Sequence, residues 1–230
     1  MKFSDSHHFR KMVAGCCMVA APLLVLAAFV VSPAIHTDAG EQFGAFADHP
    51  DRLLISTLAT VAAVALMLGA TLGMMHMLRE RMSAYGHAGG IMALLGLVSY
   101  AVFAGASLLA WQMVGDGVQA TDVTAWDGFV GATATVVAVA VVSWIGAVGF
   151  VVLAAGLWRA RAVDWWMAAA IAVGSVVIAL ATPLESVAVG IAGAAVLLVG
   201  LGATGMMVLR ETDAEWEHTP EYHGFAHGMS

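Results

Sequence analysis

Charge is what this sequence has least of. Asp, Glu, Lys and Arg make up 11% of the 230 residues against 61% hydrophobic ones, and the mean hydropathy is +0.88. A soluble surface cannot be built from that composition. The scarcity is also local, because none of the long apolar runs holds an Asp, Glu, Lys or Arg in its interior. Ion-coupled transport, proton relays and voltage sensing depend on ionisable groups inside the membrane, so those classes are not expected. Cysteine is nearly missing too: Cys16 and Cys17 are adjacent with no partners elsewhere, which predicts reduced thiols and no disulfide framework. No nucleophile with a neighbouring base, no phosphate-cradling glycine loop and no CxxC is present. The chain is therefore not expected to be an enzyme, to hold a resident cofactor or to bind nucleic acid.

What is there is a series of apolar runs. Six segments of 19 or more residues lack Asp, Glu, Lys, Arg and His: 12–35, 53–75, 88–115, 128–158, 165–184 and 186–209. About 20 helical residues cross a hydrocarbon core of about 30 Å. Strand alternation is absent, and backbone in lipid must satisfy its own N–H and C=O groups, so helices are the fitting reading. The fold class expected is an all-α integral membrane protein with six transmembrane helices, bounded by residues 1–11 and a polar, disordered tail over 210–230. Met1 to Lys11 followed by Ser32-Pro33-Ala34 imitates a secretory leader, but its apolar run exceeds the usual 7–15 residues of such leaders and reads as a first span.

Orientation follows from the positive charges. Lys2, Arg10, Lys11, Arg79, Arg81, Arg159, Arg161 and Arg210 fall on one side of six spans, and Arg52 on the other. Positive charge in short loops favours the cytoplasm, so both termini are expected there. The opposite side carries eight acids against Arg52 and displays the whole net charge of −7. On that outer side, Asp38-Ala39-Gly40-Glu41 fits a capping box for a short helix whose Phe43 and Phe46 would lie in the headgroup region. Pro50 suits the first turn of span two, and Arg52 is expected to pair with Asp48 or Asp51. Trp126 in the second outer loop, and Trp158, Trp165 and Trp166 inside, read as interfacial anchors.

Several residues are candidates for function. Ala62, Ala65, Gly69, Gly73 and His76 fall 3, 4, 4 and 3 apart, one narrow face of small side chains along span two. With Gly190 and Gly193 in span six, Gly69 and Gly73 predict close helix packing, either within the chain or as a homodimer or a complex with another membrane protein. Ser56, Thr57, Thr60, Thr71, Ser99, Ser107, Gln112, Thr133, Thr135, Ser143, Ser175 and Thr204 are the polar residues of the spans, and hydroxyls can bond back to their own helices, so most are not expected to line a path. His76 and His87 lie at similar depth on adjacent spans. They read as interfacial residues, with a bis-histidine haem as the alternative. His36, Asp38, Glu41 and His49 form a loose set of divalent-metal ligand types without a known spacing, and His218, His223 and His227 sit among acids in the tail.

The layout of six spans, a long acidic first outer loop and His49-Pro50-Asp51-Arg52 opening span two resembles a set of uncharacterised bacterial six-span membrane proteins. That resemblance implies the fold and no activity. The function expected is an interaction, accessory or sensing component of a bacterial cytoplasmic membrane, in contact with the lipid bilayer. A small carrier for an apolar or neutral solute is the rival, and a haem redox protein the third reading.

Overall fold

The computed structural model describes residues 4–118, 133–212 and Trp216. Seven helices account for nearly all of them: α1 (Ser4–Val31), α2 (Ala39–Asp48), α3 (Pro50–Leu78), α4 (Ser83–Gly115), α5 (Thr133–Arg159), α6 (Trp165–Leu180) and α7 (Val187–Arg210). Among the described residues there is no strand. Five of these helices are long and apolar enough to cross a membrane, and the protein is a helical membrane protein. Their outward faces carry the bulk, as with Ile55, Leu58 and Leu72 on α3 and Ile91, Leu95 and Val98 on α4, all more than 40% exposed. The inward faces carry small residues. That distribution suits lipid outside and close helix contact inside.

Except for α2, the helices form a closed ring in chain order: α1 packs on α3, α3 on α4, α4 on α5, α5 on α6, α6 on α7, and α7 back on α1. Glycine makes the seams. A Cβ at Gly69 would fall 2.7 Å from Cys17 Sγ, and one at Gly73 2.9 Å from Ala14 Cβ, so the small-residue face of α3 lies against α1. Gly190 lies against the Phe29 ring of α1, and a Cβ at Gly193 would fall 2.7 Å from the Ile178 amide of α6. Gly69, Gly73, Gly190 and Gly193 each lie in a helix contact within the chain. The α4–α5 seam is tighter still. Gly96 and Gly146 meet backbone to backbone, each standing where the other's Cβ would have to go.

α6 is the short member. The apolar run predicts a helix to Leu184, but α6 stops at Leu180 after 16 residues, or about 24 Å at 1.5 Å per residue. Pro183 lacks the N–H that would continue the helix. Glu185 then turns left-handed at φ 48°, and the Ser186 amide donates back to Ala181 O at 3.0 Å. Ser186 also caps α7 by accepting from Val189 N.

α2 departs from expectation in a different way. Asp38 caps it as predicted, accepting from the Gly40 and Glu41 amides at 2.9 Å each. Its aromatic rings, however, do not lie in a headgroup layer. Phe43 is fully buried and Phe46 nearly so, packed with Leu53 and Ala110 over the ends of α3 and α4. Arg52 does not pair with the nearby acids either. Its guanidinium donates to Val31 O at 3.1 Å and Ser32 O at 3.2 Å, closing the C-terminal carbonyls of α1. A cation at that end opposes the negative end of the helix dipole and satisfies orphan acceptors.

Candidate functional site

Two ends of the ring differ in packing. At the end away from α2, where Arg79, Arg81 and Arg159 lie, Met74, Leu78, Leu153, Leu157, Ile171, Leu201 and Val208 are all fully buried in one continuous core. At the α2 end the same six helices surround a cavity of about 580 Å³. That volume lies within the range of small-molecule sites.

The sequence makes this space by placing small side chains where the ring faces inward. Ala28 of α1, Ser56, Thr57, Thr60 and Ala63 of α3, and Ser175 and Ala179 of α6 all line it. Met67, Ala93, Leu97, Phe150 and Leu197 form its floor toward the packed core. Just above the Gly96–Gly146 contact, Ser99 and Ser143 join α4 to α5 through a hydroxyl–hydroxyl bond of 2.6 Å. The roof is the segment 32–38 with Gln42 and Phe46 of α2. Gln42 braces it, accepting from His36 N at 2.7 Å and donating to Ala34 O at 3.2 Å.

Four of the wall hydroxyls bond back to their own helices. Ser56 donates to Leu53 O, Thr60 to Ser56 O, Ser107 to Phe103 O and Ser175 to Ala172 O. The expectation that they line no path needs correcting in one respect. They line a chamber, closed at one end by the packed core, and no open channel follows from it. Tyr100, which also faces the chamber, has no place in the sequence-based site. Its position four residues after Gly96 on the inward face of α4 was the available signal.

The histidine pair expected at equal depth is not brought to a common centre. His76 stacks on Trp216, ring centroids 4.7 Å apart and planes 20° apart, and its Nε2 lies 3.3 Å from Trp216 O. Arg79 Nη1 lies 3.3 Å from His76 Nδ1. Arginine can only donate, so these partners assign the proton to Nε2, which donates to the Trp216 carbonyl. His87 lies exposed in the first turn of α4, its Nδ1 2.7 Å from Ser83 O.

Trp216, within the 210–230 tail, is buried, and Lys11 Nζ donates to Glu211 O at 2.8 Å, so the start of the tail lies against the bundle. The outer-loop ligand types are likewise dispersed. His36 Nδ1 lies 3.5 Å from Glu41 Oε2, Asp38 caps α2, and His49 marks the α2–α3 junction. Among the described residues no three His, Cys, Asp or Glu side chains are grouped to hold a metal. Trp126, His218, His223 and His227 lie outside the described residues.

No protein-family model matches this chain, no curated protein matches it, and no solved structure matches it. Its reading rests on residues and geometry.

Proposed function

We propose that this chain is a six-span protein of a bacterial cytoplasmic membrane, with both termini in the cytoplasm, that binds a neutral, mainly apolar small molecule as a sensing or accessory component and performs no chemistry on it. The observation that carries this reading is the 580 Å³ chamber, walled by all six ring helices and floored by a fully packed core. A chamber whose helical walls are mainly apolar side chains and hydroxyls, with Asp38 and His36 confined to the roof, favours an uncharged occupant, because a charge among those walls would lack a counter-ion. The packed half supports binding over passage. A carrier, the rival reading, would have to unlock seams at which backbones touch. The roof end is taken as outer because the basic residues flank the other end.

The binding step is tested by extracting the protein in mild detergent and identifying the retained small molecules by mass spectrometry. About one neutral molecule per chain is expected, and it should be lost in Ala63→Phe, whose ring would occupy the chamber, while the thermal transition persists. An empty wild-type protein would overturn the reading. Substrate-dependent uptake into reconstituted vesicles would instead establish the carrier. Topology is tested in a background with Cys16 and Cys17 replaced by Ala. A cysteine at Glu185 should react with an impermeant thiol reagent from outside, and one at Arg161 only after the membrane is opened. The reverse pattern would refute the cytoplasmic termini, and labelling of both positions from one side would refute the six-span layout.

A further inference from the structure

The chamber also holds an unused hydrogen-bonding group. Of the hydroxyls in its helical walls, those of Ser56, Thr60, Ser107 and Ser175 are committed to carbonyls of their own helices, and that of Ser143 to Ser99. Tyr100 and Thr57 also line the chamber, and neither hydroxyl has a hydrogen-bond partner among the described residues. Thr57 is 4% exposed, buried in the wall of α3. Thr57 could return its proton to a backbone carbonyl one turn back, as its neighbours do, but a phenol reaches too far from its helix for that. A hydroxyl with neither water nor a partner is unfavourable in an apolar interior, and tyrosine there normally finds an acceptor.

No charged acceptor is at hand. The acid on the chamber's roof, Asp38, already accepts from two amides at the start of α2, and His36 faces Glu41. On the reading that the chamber is a ligand site, we infer that Tyr100 donates a hydrogen bond to the ligand, and that the ligand is a membrane-soluble molecule with a hydrocarbon body and one neutral oxygen acceptor, a carbonyl or hydroxyl. Thr57 closes the polar end of the same site from α3. The remaining wall, including Phe103, Trp144 and Phe150, accommodates the hydrocarbon. An anionic head is disfavoured, since no Lys or Arg lines the chamber to neutralise it and the imidazole of its roof, His36, faces Glu41.

Trp144 supplies the reporter, because it lines the chamber and bromine quenches indole fluorescence at contact; it is also 38% exposed, so only the saturable quenching that Ala63→Phe removes is assigned to the chamber. The full-length protein in lipid nanodiscs is titrated with a long-chain bromoketone and with a bromoalkane of equal length. Trp144→Phe identifies the part of the quenching that belongs to Trp144, and Ala63→Phe the part of that which belongs to the chamber. The ketone should quench Trp144 at about tenfold lower concentration than the alkane, the worth of one hydrogen bond in a dry site. Tyr100→Phe keeps the ring and should abolish that advantage while leaving alkane binding unchanged. Equal quenching by the two probes in the wild type, or a ketone advantage that survives Tyr100→Phe, would overturn the anchor and leave the chamber as a binding site. No Trp144 quenching by either probe would overturn the binding reading itself, and the anchor with it.

Discussion

The Thr37 amide donates to the Glu185 carboxylate at 2.9 Å, and the Thr37 hydroxyl donates to the same oxygen, joining the roof segment to the α6–α7 turn across 148 positions of sequence. Hydroxyl and amide both favour the ionised form, so they hold the Glu185 carboxyl below the ordinary carboxylate range. With the folded-state value depressed, the tie is fully present above the ordinary range and lost as pH falls through the depressed value. Amide protection at residues 36–38, corrected for intrinsic exchange, should therefore drop on the acid side. In Glu185→Gln it should be low at every pH, without an acid step. A variant retaining the wild-type acid step would show that another group controls the roof.

Phe43 separates a protein-packed α2 from a lipid-facing one. Its ring is fully buried against α3 and α4, so Phe43→Ala should cost about 3–5 kcal/mol of local stability. α2 should become protease-sensitive while the ring helices keep their thermal transition. If the ring lay among headgroups instead, the substitution would weaken α2 only slightly and protease resistance would survive.

Glycines should divide sharply by what their missing Cβ would meet. Gly146→Ala drives a methyl into the backbone of Gly96 and should lower the thermal midpoint or prevent folding, because neither helix axis can retreat without opening the Ser99–Ser143 bond. Gly105 meets nothing within 4 Å, so Gly105→Ala should be stabilising by about 0.5–1 kcal/mol through helix propensity. Equal midpoints for the two variants would refute the seam.

These contrasts also mark what was legible in the sequence. Apolar runs, the Asp38 cap and the glycine faces at Gly69, Gly73, Gly190 and Gly193 were readable because each is a local pattern with a fixed period or offset. The placement of Phe43 and Phe46 was not. An amphipathic helix shows the same stripe whether it faces lipid or protein, and lipid tails are as apolar as a leucine core. The chamber escaped for a related reason. Most hydroxyls in it satisfy their own helices, so no residue alone announces the space that small side chains such as Ser56, Thr57, Ala63 and Ser175 leave when the six ring helices converge. Tyr100 was hidden by the same logic, an amphipathic side chain in an apolar run. Arg52 was misplaced because Asp48 and Asp51 are near in sequence, whereas the α1 carbonyls are near in space.

His76 and His87 give the last contrast, since the haem alternative and the observed contacts predict opposite responses. His76 is engaged on both nitrogens and one ring face by Arg79 and Trp216, and His87 turns to a carbonyl of its own helix. For both imidazoles to ligate one iron, Trp216 would have to leave its buried place and His87 its bond to Ser83. We therefore expect a purified protein without a Soret band. His76→Ala should free the indole of Trp216, read as a red-shifted, quencher-accessible component of the tryptophan emission that Trp216→Phe removes. His87→Ala should change neither, because an exposed ring bonded within its own first turn holds nothing else in place. A Soret band at about one haem per chain, lost with either substitution, would replace this picture with a bis-histidine centre at the arginine end.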